Sequence, residues 1–130
     1  MILDDKAQAL LKGVNFAHIA TIRKDGSPQV SPVWVDFDGT YIIVNSEEKR
    51  AKVRNLQRDP RVSLSITDSA NPYAYVQIEG RVAEITREGG FEGIDKLAQK
   101  YIGQEKYPWN QPTDVRVVIK IEPLRVTGMG

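Results

Sequence analysis

Residues 61–67 alternate without a break: Val62, Leu64 and Ile66 fall on one face of an extended strand, and Ser63, Ser65 and Thr67 on the other. A period of two belongs to strands, where successive side chains point to opposite faces. Similar alternation recurs over residues 15–23, 29–36, 41–44, 73–86 and 115–121, with 124–129 as a further short segment after Pro123. These segments do not follow a βαβ rhythm. The chain is therefore expected to be mainly β, a closed or nearly closed antiparallel barrel of six or seven strands with two or three peripheral helices.

The connections support this reading. Asp25-Gly26 and Asp38-Gly39 are dipeptides that tolerate the positive φ of tight hairpin turns, so the first three strands are expected to form a meander. Pro28 and Pro32 cannot donate to a ladder, which places the second strand at an edge, a bulge or a barrel seam. Gly80 is expected to mark a bulge in the long strand. Three helices are predicted. The first covers residues 4–12 and stops at Gly13, packing over a barrel end. The second follows Asn45 and Glu48, which resemble a capping box, and ends at Asp59-Pro60. In the third, Phe91, Ile94, Leu97, Ala98, Tyr101 and Ile102 form an apolar stripe that ends at Gly103. The 130 residues fit a single domain spanning 1–130, long enough to bury a core without staples. The acidic N-terminus and the lack of any long apolar run predict a soluble, cytoplasmic protein.

The strongest chemical signal is electrostatic. The chain carries 18 Lys and Arg against 17 Asp and Glu, yet residues 49–58 hold Lys49, Arg50, Lys52, Arg54 and Arg58 with no acid among them. A nearly neutral chain polarised at one place suits an anionic guest. Arg50 and Lys52 fall at the start of the predicted helix, where free backbone N–H groups also favour a phosphate. Arg54, which shares a helix face with Arg50, and Arg58, two turns on and read as a surface or subunit contact, are set outside the clamp. Phosphate contacts worth ~1.5–3 kcal/mol each do not repay an association cost on the order of 4–15 kcal/mol. A ring platform is needed as well, and Trp34, Tyr41, Tyr73 and Tyr75 are the candidate walls. Burying about 200 Å² of ring would contribute about 5 kcal/mol.

Other chemistries find no support. Cysteine is absent and His18 is the sole histidine, which removes thiolate chemistry and the usual zinc sites, and no metal site is expected. His18, within a strand pattern, is read as a hydrogen-bonded structural residue. Neither G-x-G-x-x-G nor G-x-x-x-x-G-K-[ST] occurs. Asp25, Asp36, Asp38, Glu79 and Glu84 are scattered over turns and outward faces, so no paired acid–base site emerges and no catalytic residue can be named.

The succession AHIATIRKDGSPQVSPVWVDFDG, NSEEKRAKVRNLQRDPRVSLS, NPYAYVQIEGRVAEIT, KLAQKYIG and RVVIKIEP resembles the pyridoxamine-phosphate-oxidase-like split β-barrel superfamily over nearly the whole chain. Within it, the chain resembles the small actinobacterial-type enzymes that use the deazaflavin coenzyme F420. The resemblance implies a homodimer with cofactor sites at the subunit interface and a small-molecule substrate. It places the family's R-x-K motif on Arg50 and Lys52 as phosphate ligands, with Asn45 and Ser46 lining the approach. It places the strand beside the ring on Gln29, Val30, Ser31, Pro32, Val33 and Trp34. Residues 107–110 would reach the partner's site. The implied activity is hydride transfer from reduced F420 to a conjugated acceptor. FMN is the alternative cofactor, although FMN oxidases of the superfamily carry a basic residue where this chain has Trp34, Val35 and Asp36. A non-enzymatic cofactor carrier or nucleic-acid-binding barrel is the alternative from another class. Nucleic acid is disfavoured because the cations lie on one helix and are not interleaved with aromatics on a barrel face.

Overall fold

A computed structural model describes residues 2–129. Along the chain run α1 (Asp5–Lys12), β1 (Ala17–Ile22), β2 (Pro28–Val33), β3 (Asp36–Phe37), β4 (Ile42–Glu47), α2 (Ala51–Arg58), β5 (Arg61–Asp68), β6 (Asn71–Thr86), α3 (Gly90–Ile102) and β7 (Arg116–Met129). The seven strands form one sheet in the order β2-β1-β5-β6-β7-β4-β3, and each neighbouring pair is antiparallel.

That order forces the sheet to curl. β2 and β3 are its two edges, yet only Trp34 and Val35 separate them in the chain. Three Cα–Cα steps reach at most about 11 Å, whereas six inter-strand gaps in a flat sheet would span about 29 Å. The edges must meet, and the result is a split barrel. Inside it lie Leu3, Leu11, Ile19, Ile42, Leu64, Ile66, Ile78, Ile119 and Ile121, all fully buried. The alternation of β5 is seen directly, with Val62, Leu64 and Ile66 buried. Helix α1 starts on Asp4, whose carboxylate accepts from the Ala7 N–H at 2.9 Å, and buries Ala7, Leu10 and Leu11 against β3 and β5.

The expected hairpin turns form, with Gly26 at φ 88° and Gly39 at φ 100°. Gly80 sits at a register shift, where an added Cβ would stand 2.6 Å from Ile121. β2 is an edge strand, as its two prolines require. Four details differ from expectation. The first three strands do not form a meander, because the chain breaks after Val33 and β4 pairs with β3 and β7 instead of β2. Asn45 caps nothing: it lies within β4, and α2 begins after Arg50 with no side-chain cap. The segment after Pro123 continues β7 and is not a separate strand. His18 is exposed on the outer side of β1 and is not a buried, hydrogen-bonded residue. Among the described residues no helix is long and apolar enough to cross a membrane.

The break between β2 and β3 has its own support. Val35 is fully buried, so its backbone groups need partners. Its N–H donates to Tyr101 Oη at 3.1 Å, and Tyr101 Oη donates in turn to the Asn15 carbonyl at 2.6 Å. The Val35 carbonyl accepts from Lys100 Nζ, which also donates to the Leu11 carbonyl at 2.8 Å. Two consecutive residues of α3 thus fasten the joint, the end of α1 and the entry to β1. Burial raises the Tyr101 pKa and keeps the hydroxyl a neutral donor. Tyr101→Phe leaves the buried Val35 N–H and Asn15 carbonyl without this partner. The expected cost is about 1–3 kcal/mol, read as a lower urea midpoint with an unchanged slope.

Candidate functional site

The joint presents Trp34 to a cleft of about 240 Å³ on the outer side of the barrel. Its lining comes from six parts of the chain: Phe16 before β1, Pro32 to Trp34, the end of β4, the start of α2, Ile94 of α3, and the run from Tyr107 to Arg116. One wall is aromatic. Trp34 stacks on Tyr101 with ring centroids 5.2 Å apart and planes 6° from parallel, and it meets the edge of Tyr107 at 5.9 Å. Tyr107 in turn meets Trp109 at 5.5 Å. Such offset and edge-on contacts match the quadrupoles of the rings.

The other wall is cationic. Arg50 is the residue immediately before α2 and Lys52 lies in its first turn, beside a helix start where the Arg50 and Val53 N–H groups already donate to the Glu47 and Arg50 carbonyls and the N–H groups between them precede the first full helical turn. The turn that carries them is fixed by Glu47. Its two carboxylate oxygens accept from the Lys49 and Val115 N–H groups, each at 2.9 Å, and these bonds hold its pKa below the usual carboxylate value. The Glu48 N–H donates to the Val115 carbonyl at 2.8 Å, and the Glu48 carboxylate pairs with Arg87. The acids nearest the cations are thus engaged elsewhere. Burial lowers the Lys52 pKa, and the neighbouring charges of Arg50 and Arg116 lower it further.

Asn45 and the glycines of α3 build the floor. Asn45 Nδ2 donates to the Gly90 carbonyl at 2.8 Å, and Oδ1 accepts from Arg116 Nε at 2.9 Å. The helix can approach this closely because Gly90 and Gly93 have no Cβ. A Cβ on Gly90 would collide with the Arg116 carbonyl, and one on Gly93 would stand 3.1 Å from Asn45 Nδ2.

Of the residues singled out in the sequence, Pro32, Val33, Trp34, Asn45, Ser46, Arg50 and Lys52 come together around this cleft. Gln29, Val30, Ser31 and Tyr75 do not line it. Gln29 Oε1 accepts from Thr21 at 3.1 Å, Val30 is exposed, and Ser31 Oγ is buried without a partner among the described residues. Tyr75 lies on β6 opposite Thr67 and Met129, and Tyr73 is 78% exposed. Residues 107–110, expected to serve a partner, bring Tyr107 and Trp109 to the cleft of their own chain. Arg58, read as a surface or subunit contact, is exposed and lies outside the cleft. It donates to the Ile22 carbonyl at 2.9 Å and to Asn55 at 3.0 Å, fastening α2 to β1. Sequence reasoning missed Phe16, Ile94, Tyr107, Trp109 and Arg116 as cleft residues of this chain. Arg116 held the one legible signal, a cation opening a strand directly after an aromatic loop.

Comparison with known proteins identifies the family of the chain. The family model described as pyridoxamine 5'-phosphate oxidase matches residues 3–130. An F420H(2)-dependent biliverdin reductase from Mycobacterium tuberculosis is 30% identical over 128 residues, covering 97% of this chain and 88% of the relative. A solved F420 reductase superposes with a TM-score of 0.81 at 32% identity, covering 92% of this chain and 94% of that one. General Stress Protein 26 from Bacillus anthracis shares the fold with a TM-score of 0.69 at 16% identity, covering 99% and 95%.

Lys52 gives the cleft a pH dependence with a defined sign. An anion favours the charged amine, so its affinity is full below the Lys52 pKa of the free protein and falls as pH rises through it. Because burial holds that pKa below the ordinary lysine value, the fall begins on the acid side of the ordinary lysine range. Titrating a phosphate-bearing ligand from pH 7 to 10 should show it, and Lys52→Arg should move the fall to higher pH.

Proposed function

The chain belongs to the pyridoxamine 5'-phosphate oxidase family, and on that footing we propose that it is an F420-dependent reductase acting on a conjugated small molecule. The observation that carries the proposal is the convergence of Arg50 and Lys52 with Trp34 in one cleft, a phosphate clamp beside a ring platform. The residues fit the cofactor: cations at a helix start for the phosphate, and an aromatic wall for a flat tricycle. Coenzyme F420, when bound and reduced, supplies a hydride to an electrophilic acceptor such as an enone, a quinone or a tetrapyrrole.

The protein contributes binding, orientation and exclusion of water. Arg50 and Lys52 hold the phosphate, Asn45 and Ser46 line its approach, and Trp34, Phe16 and Tyr107 cover the apolar rings. The reading includes a homodimer. A cleft of about 240 Å³ is smaller than the ~300–1,000 Å³ of sites that enclose whole ligands, which supports a reading in which a second copy of the chain completes the wall. It also includes a cytoplasmic location and a small-molecule partner in place of nucleic acid.

Titration of the purified protein with F420 and, separately, with FMN tests the assignment. Micromolar FMN binding without F420 binding overturns it. Arg50→Ala and Lys52→Ala are each expected to weaken F420 binding by about ten- to a hundredfold, the loss of one charge-assisted hydrogen bond, with unchanged circular dichroism. Arg58→Ala, which acts on the α2–β1 contact, should leave the affinity within about twofold.

A further inference from the structure

Arg116 is the one cation lining the cleft that the family motif does not account for. It is 7% exposed, and its sole hydrogen bond among the described residues runs from Nε to Asn45. Its guanidinium lies over the Tyr107 ring at 5.2 Å. No carboxylate stands within ion-pairing distance of it among the described residues; the cleft's own acid, Glu47, has both oxygens on backbone N–H groups. Removing a cation from water without a counter-ion is costly, and such a group is stable when a partner charge or a ring compensates it. The Tyr107 ring and the more distant carboxylates of Asp114 and Glu47 compensate only in part, because none of them makes a direct ion pair with the guanidinium, and burial still lowers its pKa.

Charge counting points the same way. Arg50, Lys52 and Arg116 against Glu47 leave the cleft two positive charges in excess. Asn45 holds the Arg116 side chain from one side and the backbone of α3 from the other, so the guanidinium is positioned before any ligand arrives. We propose that Arg116 is a third anion-binding side chain of the cleft, contacting the phosphate together with Arg50 and Lys52. The proposal rests on the cleft being the cofactor site, and it adds a ligand from β7 to the two at the start of α2. A guanidinium presents several N–H groups in a fixed plane, and with Nε spent on Asn45 the terminal nitrogens serve the anion.

The test compares wild type, Arg116→Gln and Arg116→Lys by calorimetric titration with F420 and with the same deazaflavin lacking its phosphate-bearing tail. Arg116→Gln should lose about ten- to a hundredfold in affinity for F420 and stay within about twofold of wild type for the tail-less compound. Arg116→Lys, which keeps the charge, should recover part of the loss. Equal losses for both ligands would show that Arg116 only shapes the cleft through Asn45 and Tyr107, and would overturn the proposal, as would no loss for either. A second arm is independent of the cofactor assignment: pyrophosphate should raise the melting temperature of wild type and fail to do so for Arg116→Gln. If wild type binds no F420, the functional reading fails while this arm still decides the role of Arg116. An equal response of wild type and Arg116→Gln to pyrophosphate overturns it. Should Arg116→Gln not fold, both arms are read on Arg116→Lys, which should lose part of the F420 affinity and of the pyrophosphate response and none of the affinity for the tail-less compound; equal losses for both deazaflavins, or no loss, overturn the proposal.

Discussion

The structure depends on how a broken strand is held. Between Val33 and Asp36 the chain passes from one edge of the sheet to the other, and the buried backbone of Val35 has no strand to pair with. Lys100 and Tyr101 take the place of that missing neighbour. Their position is costly for Lys100, whose pKa burial lowers, with Asp36 opposing the shift. In return the joint is fixed, and Trp34, one residue away, is stacked on the tyrosine that holds it. Closure of the barrel and placement of the ring platform are thus one arrangement.

The same economy governs the anion side of the cleft. Glu47 shapes the turn that presents Arg50 and Lys52, and in doing so it commits its carboxylate to backbone donors. An acid sits among the cations without satisfying them. Asn45 performs the comparable task on the floor, joining α3 to Arg116. Polar side chains of the site are therefore largely its frame, while Arg50, Lys52 and Arg116 line the space a ligand would fill.

Much of this was legible in the sequence, for physical reasons that also mark the limit. Strand alternation, the two Asp-Gly turns, the bulge at Gly80 and the edge character of β2 are local properties, and each emerged as read. The break at Trp34–Val35 was not legible, because residues 29–36 alternate as one strand and nothing local says that the pairing partner changes. The apparent capping box at Asn45 misled for a related reason: the short-range pattern was present, but tertiary pairing with β7 extended β4 through Glu47. Arg50, Lys52 and Trp34 were identifiable from charge clustering and from the resemblance. Arg116 was legible only as a cation opening a strand and Tyr101 only as part of a helical stripe, since their roles rest on contacts with residues 71 and 66 positions away.

Those long separations bear on the order of assembly. Lys100 meets Val35 across 65 residues, and Tyr101 meets Asn15 across 86. Contacts of this span pay their loop-closure entropy before returning any stabilisation, and chains dominated by them fold slowly. The hairpin of β1 and β2 and the β5–β6 pair can form from neighbouring sequence. The joint waits for residues 100 and 101, and the floor waits for Arg116. The cleft is accordingly a late product of folding, so a newly made chain encounters its ligand as a nearly finished barrel.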